Sequence, residues 1–385
     1  MKFSILLPTR NRLDLLKLAV ESVRMQDHAD WEIVISDNAS DMDIGAQVCD
    51  PEDQRIRSRR IDHLVPVTDN WNAALEIATG DYVIMLGDDD VLVSGGLKRM
   101  EELIRAWHCP DAIYAQAHQY AYPNVMPGHA KPFMQTGYNA FLQGSHEAFK
   151  LETEVAHGMV RAAMGFRILY GFNMQHFVFS RQLVERLKPK GPFFQSPYPD
   201  YYAANAVLLA AESLVATPDC VALIGISPKS FGFYHVNGQE NAGVAFLHNG
   251  AATEIFARLR DELVPGSNMN DSWLYAMETL KRNFPEARGR VSYSRYRRLQ
   301  YHTILKAHGC ERYRDLLRYM RLWEIAVYGL VAAAYVVARI LPGRMSRHVR
   351  DLLTFSLFSR SPRFDPNIRV VPYQDILEAA RAHAH

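Results

Sequence analysis

The chain has 385 residues, 48% of them hydrophobic and 22% charged, with a formal net charge of +1. This is a globular composition with material for roughly two domains, and it excludes a disordered or fibrous chain. The near-neutral total hides a split: between Lys281 and Arg363 the Lys and Arg outnumber Asp and Glu by 13, so the rest is net acidic by about 12 and the two parts face different partners.

FSILLP, residues 3–8, is an apolar run ended by Pro8 and reads as a buried first strand rather than a leader peptide. Residues 11–26 place Leu15, Leu16, Ala19, Val20 and Val23 at helical spacing, with Asn11 as N-cap. WEIVIS, residues 31–36, is a second strand leading into the polar turn DNASD, and residues 55–62 hold a short third. A helix is expected over 70–78, stopped at Gly80, then a strand over 82–86, a helix over 94–107 and a strand over 111–116. Alternating strands and helices predict a mostly parallel α/β sheet, which binds ligands beyond the carboxyl ends of its strands. PTRNR (8–12), SDNASD (36–41) and GDDD (87–90) sit at such ends, so all three are expected to line one crevice.

Three adjacent carboxylates, Asp88, Asp89 and Asp90, repel one another. A solvated turn is the plain reading; a divalent cation is the sharper one. Mg²⁺ and Mn²⁺ take one or two carboxylates and complete their shell with substrate phosphates. Neither G-x-x-x-x-G-K-[ST] nor a G-x-G-x-x-G after the first strand is present, which argues against a P-loop NTPase and a dinucleotide-binding dehydrogenase. The four cysteines, Cys49, Cys109, Cys220 and Cys310, lie far apart without a C-x-x-C pair, as expected of a reduced, cytoplasmic protein with no zinc site.

ILLPTRNR, EIVISDNASD, NWNAALEIATGDYVIMLGDDD and the later SPYPDYYAANAVLLAAE, in this order and spacing, resemble the inverting family 2 glycosyltransferases with the GT-A fold, over roughly residues 1–235. The resemblance implies a nucleotide-diphosphate sugar donor and a divalent metal bound through a D-x-D motif. It carries Pro8, Thr9 and Arg10 to the loop bordering the nucleotide, and Asp37 to the acidic residue that contacts the base. A carboxylate there accepts the N3–H of uracil or thymine; guanine satisfies it differently. The register against the following VL sets Gly87 where the first Asp of the motif often stands, with Asp89 at the second. Asp89 is therefore the expected metal ligand, Asp88 lies near the ribose or metal, and Asp90 stands behind them. The Gly87 departure leaves a metal-independent variant open.

An inverting transferase needs a general base for the acceptor hydroxyl. In the family this is an acidic residue just before a helix, past an apolar segment containing an Arg. FVFSRQLVERL (177–187) matches that segment and Asp200, opening the helix after SPYP, matches the base. Asp200 is also read as a helix N-cap, and the two roles are compatible. His235, in FGFYHVNG, lies where some relatives supply a His to the metal, although a lone His after apolar residues is more often structural. His176 is a candidate for the acceptor side.

Beyond residue 240 the resemblance fades. Helices are expected over 253–264 and 271–283, Arg and Tyr interleave from 291 to 321, and residues 322–341 hold 18 apolar residues of 20. At about 1.5 Å per residue such a helix reaches ~30 Å, so a buried core helix, a span and an in-plane helix compete. The in-plane reading sets Arg321, Glu324, Tyr328, Tyr335 and Arg339 near one helical face, with Arg and Tyr flanks toward anionic headgroups. No nucleic-acid fold signature accompanies the basic residues, and nucleic acid is not expected as a partner.

The expectation is thus a GT-A domain over 1–240 and a helical, basic region over 241–385. It describes a Mn²⁺- or Mg²⁺-dependent inverting transferase using a UDP-sugar, or a dTDP- or GDP-sugar. The acceptor is a surface glycan or is lipid-linked, and the enzyme is peripheral on the cytoplasmic membrane face. Two alternatives are a sugar nucleotidyltransferase, which would want a Gly-rich basic loop after the first strand, and a non-catalytic carbohydrate-binding scaffold, which has no use for Asp89 and Asp200 together.

Overall fold

The computed structural model describes the chain except residues 126–129, 137–138, 143, 231–232, 235–236, 238–253, 309–311, 346–366 and 384–385. The N-terminal half alternates as expected: β1 (Phe3–Thr9), α1 (Leu13–Arg24), β2 (Trp31–Asn38), α2 (Gly45–Val48), β3 (Ile56–Ile61), α3 (Val67–Ile77), β4 (Tyr82–Met85), β5 (Val91–Leu92), α4 (Gly96–Ala106) and β6 (Ala112–Ala121). There follow β7 (Phe133–Thr136), β8 (Phe149–Lys150), α5 (Thr153–Met164), β9 (Phe177–Ser180), α6 (Arg181–Leu187), α7 (Pro199–Ala210) and β10 (Leu214–Ile226). The C-terminal part holds α8 (Glu254–Leu259), α9 (Asn268–Asn283), α10 (Tyr293–His308), α11 (Tyr313–Leu317), α12 (Leu322–Ile340), β11 (Asn367–Val370) and α13 (Ile376–Ala382).

Among the described residues the sheet runs β11-β7-β6-β9-β4-β1-β2-β3, with β10 beside β6. β3, β2, β1 and β4 are parallel, which is the expected GT-A core, and β9 enters antiparallel between β4 and β6. The pleat divides β1 between two cores: Leu6 packs on one face, Ile5 and Leu7 on the other with α1 and α4. The register pairs Thr9 with Asp37 and Leu6 with Met85, so the loops after β1, β2 and β4 open at one edge.

Local chemistry explains where boundaries differ from expectation. Asn11 does not cap α1: Arg12 takes the N-cap position, and Asn11, one residue earlier at φ 55°, donates its backbone N–H to Ser40 Oγ at 2.9 Å. Gly80 does not stop α3, which ends at Ile77. Gly80 is small because a Cβ there would stand 2.7 Å from the Ser4 nitrogen in β1. Asp200 is not an N-cap: Tyr198 holds that position, and the Asp200 carboxylate turns away to another loop.

The expected boundary at residue 240 lies outside the described residues. On its far side, one apolar cluster joins Leu6 and Tyr202 to Trp273, Tyr301 and Tyr328. β11 pairs antiparallel with β7, and Ile376, Ala379 and Ala380 of α13 pack with Val91 and Leu223 of β5 and β10. The segment RMSRHVRDLLTFSLF, residues 344–358, which reads as basic and then apolar, falls largely among the residues not described.

Candidate active site

A cleft of about 420 Å³ opens at the carboxyl edge, lined by Pro8, Thr9, Arg10, Asp88, Asp89 and Asp200 among others. The convergence expected of the three loops and α7 is therefore present. Asp37 is the exception. It is fully buried behind the wall, its Oδ1 accepts from the Ser40 N–H at 3.0 Å, Arg60 Nη1 lies 3.8 Å from Oδ2, and Oδ2 has no hydrogen-bond partner. Its neighbour Asn38 reaches the cleft instead.

The three carboxylates of the GDDD turn differ in what holds them. Asp88 is fully engaged: Arg12 Nη1 donates to Oδ1 and Thr9 Oγ1 to Oδ2, both at 2.8 Å. Asp90 is a structural clasp. Its Oδ2 accepts from the Gly87 N–H at 2.8 Å and from Gln175 Nε2 at 2.6 Å, and its Oδ1 from the Gly225 N–H at 2.8 Å. Asp89 Oδ2 accepts from Ser227 Oγ at 3.2 Å, while the nearest cation to Oδ1 is Arg12 Nη1 at 3.9 Å. Burial holds both Asp89 and Asp90 above the usual carboxylate range; Arg12 opposes this at Asp89, and backbone N–H groups oppose it at Asp90.

Gly87 explains the departure from the D-x-D pattern. A Cβ at 87 would stand 2.6 Å from Asp90 Oδ2 and 3.3 Å from Asp89 Oδ1, so any side chain there collides with the clasp. Gly225 is constrained likewise, because a Cβ would overlap the Asp89 carbonyl oxygen. β10 and the turn therefore touch backbone to backbone.

The donor set fits a hard divalent cation. Asp89 has a carboxylate oxygen without a hydrogen bond, in a buried acidic cluster where a second positive charge relieves repulsion. Among the described residues no group of three or more His, Cys, Asp or Glu is placed to hold a metal ion. His235 lies outside the described residues.

Asp200 stands on the first turn of α7, and its Oδ1 accepts from the Met174 N–H at 2.7 Å. Burial pushes its carboxyl up to about 6, against the opposing backbone hydrogen bonds. The same cleft takes Trp71, Phe172, Tyr198, Tyr201 and, from α9, Met269, so aromatic surface adjoins Asp200 in sequence and space. His176 is not at the cleft. It is wholly buried, Nδ1 lies 2.9 Å from the Ala115 carbonyl, and burial lowers its imidazole to about 4.

Arg12, Gln175, Ser227 and Gly225 were not legible as site residues. Arg12 lies within PTRNR, but its partner is 76 residues away, and no local pattern marks the others.

Residues 4–170 match the family model described as glycosyl transferase family 2. That stretch is similar to the family 2 glycosyl transferases. Over 102 residues it is 36% identical to a GalNAc(5)-diNAcBac-PP-undecaprenol beta-1,3-glucosyltransferase of Campylobacter jejuni, covering 26% of this chain and 33% of that one. Over 95 residues it is 26% identical to a UDP-Glc:alpha-D-GlcNAc-diphosphoundecaprenol beta-1,3-glucosyltransferase of Escherichia coli, covering 25% of this chain and 38% of that one. The chain thus spans about a third of the length of these curated relatives. Among solved structures, S. aureus TarS 1–349 in complex with UDP-GlcNAc aligns over 92% of this chain and 87% of that one, at 13% identity and a TM-score of 0.49.

Proposed function

We propose that the protein is an inverting glycosyltransferase that moves a sugar from a nucleotide-diphosphate sugar, a UDP-sugar, to a hydroxyl of a lipid-linked or surface-glycan acceptor at the cytoplasmic face of a membrane. The observation that carries this reading is one cleft holding both the GDDD turn and Asp200. The two relatives named for undecaprenol-linked substrates support the acceptor class.

In this reading Pro8, Thr9 and Arg10 border the nucleotide. Asp37, which the resemblance carries to the base, lies behind the cleft wall, and its neighbour Asn38 is the residue of that loop that reaches the nucleotide side. Asp89, with Asp88 beside it, would hold a Mn²⁺ or Mg²⁺ ion, which would supply positive charge against the diphosphate of the donor and its leaving group. Arg12 balances the remaining acidic charge and ties the turn to the 227–230 loop through the Lys229 carbonyl. Asp200 takes the proton from the acceptor hydroxyl as it attacks the anomeric carbon from the face opposite the departing nucleotide. A carboxyl near 6 is ionised at neutral pH yet more basic than an exposed one, which suits a general base. Trp71 and Phe172 offer apolar faces for a sugar ring. A non-catalytic scaffold gives no reason to keep a buried carboxylate at that pH.

The test is a panel of nucleotides and nucleotide sugars with the full chain, with and without Mn²⁺, read by thermal shift and sugar release. UDP with Mn²⁺ should raise the melting temperature, and the transferred sugar should show inverted anomeric configuration by NMR. Retained configuration, or no response to any nucleotide, would sink the reading.

A further inference from the structure

α12 presents the wrong face to water. Glu324 and Tyr328 point inward: Glu324 is 1% exposed and pairs with buried Arg297 at 2.7 Å, and Tyr328 packs edge-on against Tyr301. The Tyr313 hydroxyl donates to the Ile325 carbonyl at 2.6 Å. Burial alone would raise the Glu324 carboxyl, and the Arg297 hydrogen bonds outweigh it, so the pair is charged. These contacts fix the roll of the helix. On the opposite side Trp323, Val327, Leu330, Val337 and Ile340 are exposed, Leu330 by 76% and Ile340 by 79%. Their spacing of three, four and seven makes one continuous apolar stripe.

A helix free to rotate would turn that stripe into the protein. Here a buried ion pair holds it outward, which makes sense when the stripe has its own apolar medium. Charge identifies that medium. Exposed Arg314, Arg318 and Arg321 stand before or at the start of the helix and Arg344 beyond its end, a stripe bracketed by cations. Among the described residues no helix is long and apolar enough to cross a membrane.

We infer that α12 lies flat on an anionic lipid surface, with the Trp323–Val327–Leu330–Val337–Ile340 stripe in the acyl boundary and the flanking arginines at the headgroups. This deepens the lipid-linked acceptor reading and rests on it for its purpose. It keeps the in-plane expectation and adds that Glu324 and Tyr328, expected near one polar face, are packed on the protein. α12 packs on α10, α10 on α9, and α9 contributes Met269 to the cleft, so two helix packings join the anchor to the site.

The experiment is flotation of the full-length protein with phosphatidylcholine vesicles with and without about a quarter phosphatidylglycerol. Leu330→Asp/Val337→Asp changes two exposed positions and should leave the fold and UDP–Mn²⁺ binding intact. Wild type should float with anionic vesicles, less with neutral ones, and high salt should release it only in part. The double variant should partition at least about tenfold less, as expected for two lost apolar contacts. Lipids brominated in the acyl chain should quench wild type more than Trp323→Phe. The inference falls if the double variant floats like wild type, or if wild type does not float. It also falls if sedimentation shows a dimer that the double variant loses, since the stripe is then a subunit contact. Wild type that fails to float yet still binds UDP with Mn²⁺ removes this inference alone; wild type that floats but binds no nucleotide removes the transferase reading alone.

Discussion

Arg12 Nη1 stands 2.8 Å from Asp88 Oδ1 and 3.9 Å from Asp89 Oδ1, so a single guanidinium serves two of three consecutive carboxylates. Arg12 and Asp88 are both nearly buried, and water does little to screen either. The turn therefore carries its own partial counter-charge, and the acidic remainder is concentrated on Asp89.

Arg12→Met should accordingly destabilise the fold by about 3–5 kcal/mol, the cost of leaving a buried charge without its partner. Urea unfolding measures this. Mn²⁺ should restore more stability to the variant than to wild type, because a second cation then replaces the first. Equal stability of variant and wild type would show that Asp88 and Asp89 do not depend on Arg12.

Asp89→Asn and Asp90→Ala should separate binding from folding. Asp89 has few partners, so its variant should stay folded while Mn²⁺-dependent UDP binding, read by calorimetry, falls by more than the roughly 10–100-fold that loss of an outer-shell partner costs. Asp90 holds two backbone N–H groups and Gln175, and removing it leaves buried donors unpaired at about 1–3 kcal/mol each. The opposite pattern, with Asp90 governing metal affinity, would exchange the two assignments.

What the sequence revealed was local. Apolar runs located β1, β2 and β4, and polar residues at their ends marked the cleft, because a parallel sheet sends those ends to one edge. Asp200 was singled out through the family resemblance, and it lines the cleft. Pairings across long separations were not: Arg12 with Asp88, Gly225 with Asp90, and β11 with β7, whose four residues carry no pattern that names a partner. What the polar face of α12 packs against was not legible for the same reason, since only the tertiary contact of Glu324 with Arg297 decides it.

Gly87→Asp restores the commoner motif on paper, and the structure predicts that it harms the protein. The new side chain would meet Asp90 Oδ2, 2.6 Å from the position of its Cβ, and add a fourth negative charge to the turn. A loss of about 1–3 kcal/mol is expected from overpacking alone. Denaturation midpoints should fall, and UDP–Mn²⁺ affinity should not rise. A stable variant with tighter binding would mean that the turn tolerates another register.

Asp200 links activity to stability with opposite signs. Its carboxyl sits near 6, above the ordinary 3.8, because burial disfavours the charge. The folded state therefore holds the proton more tightly than the unfolded chain does, and stability from this group is lost as pH rises from about 4 to 6. Above that range Asp200→Asn removes the cost while keeping an acceptor for the Met174 N–H, so the variant should gain roughly 1–3 kcal/mol at pH 8. The gain should shrink to nothing as pH falls toward 4. Turnover runs the other way. Wild-type kcat/KM should decline below about pH 6 as the base is protonated, and the Asn variant should lose about 10²–10⁴-fold in kcat with donor affinity retained. Thermal melts across pH and steady-state rates on the same preparations check both halves. A variant that is no more stable at pH 8 than at pH 4 would show that the carboxylate is well solvated in the cleft, and one that keeps its rate would remove Asp200 from the reaction.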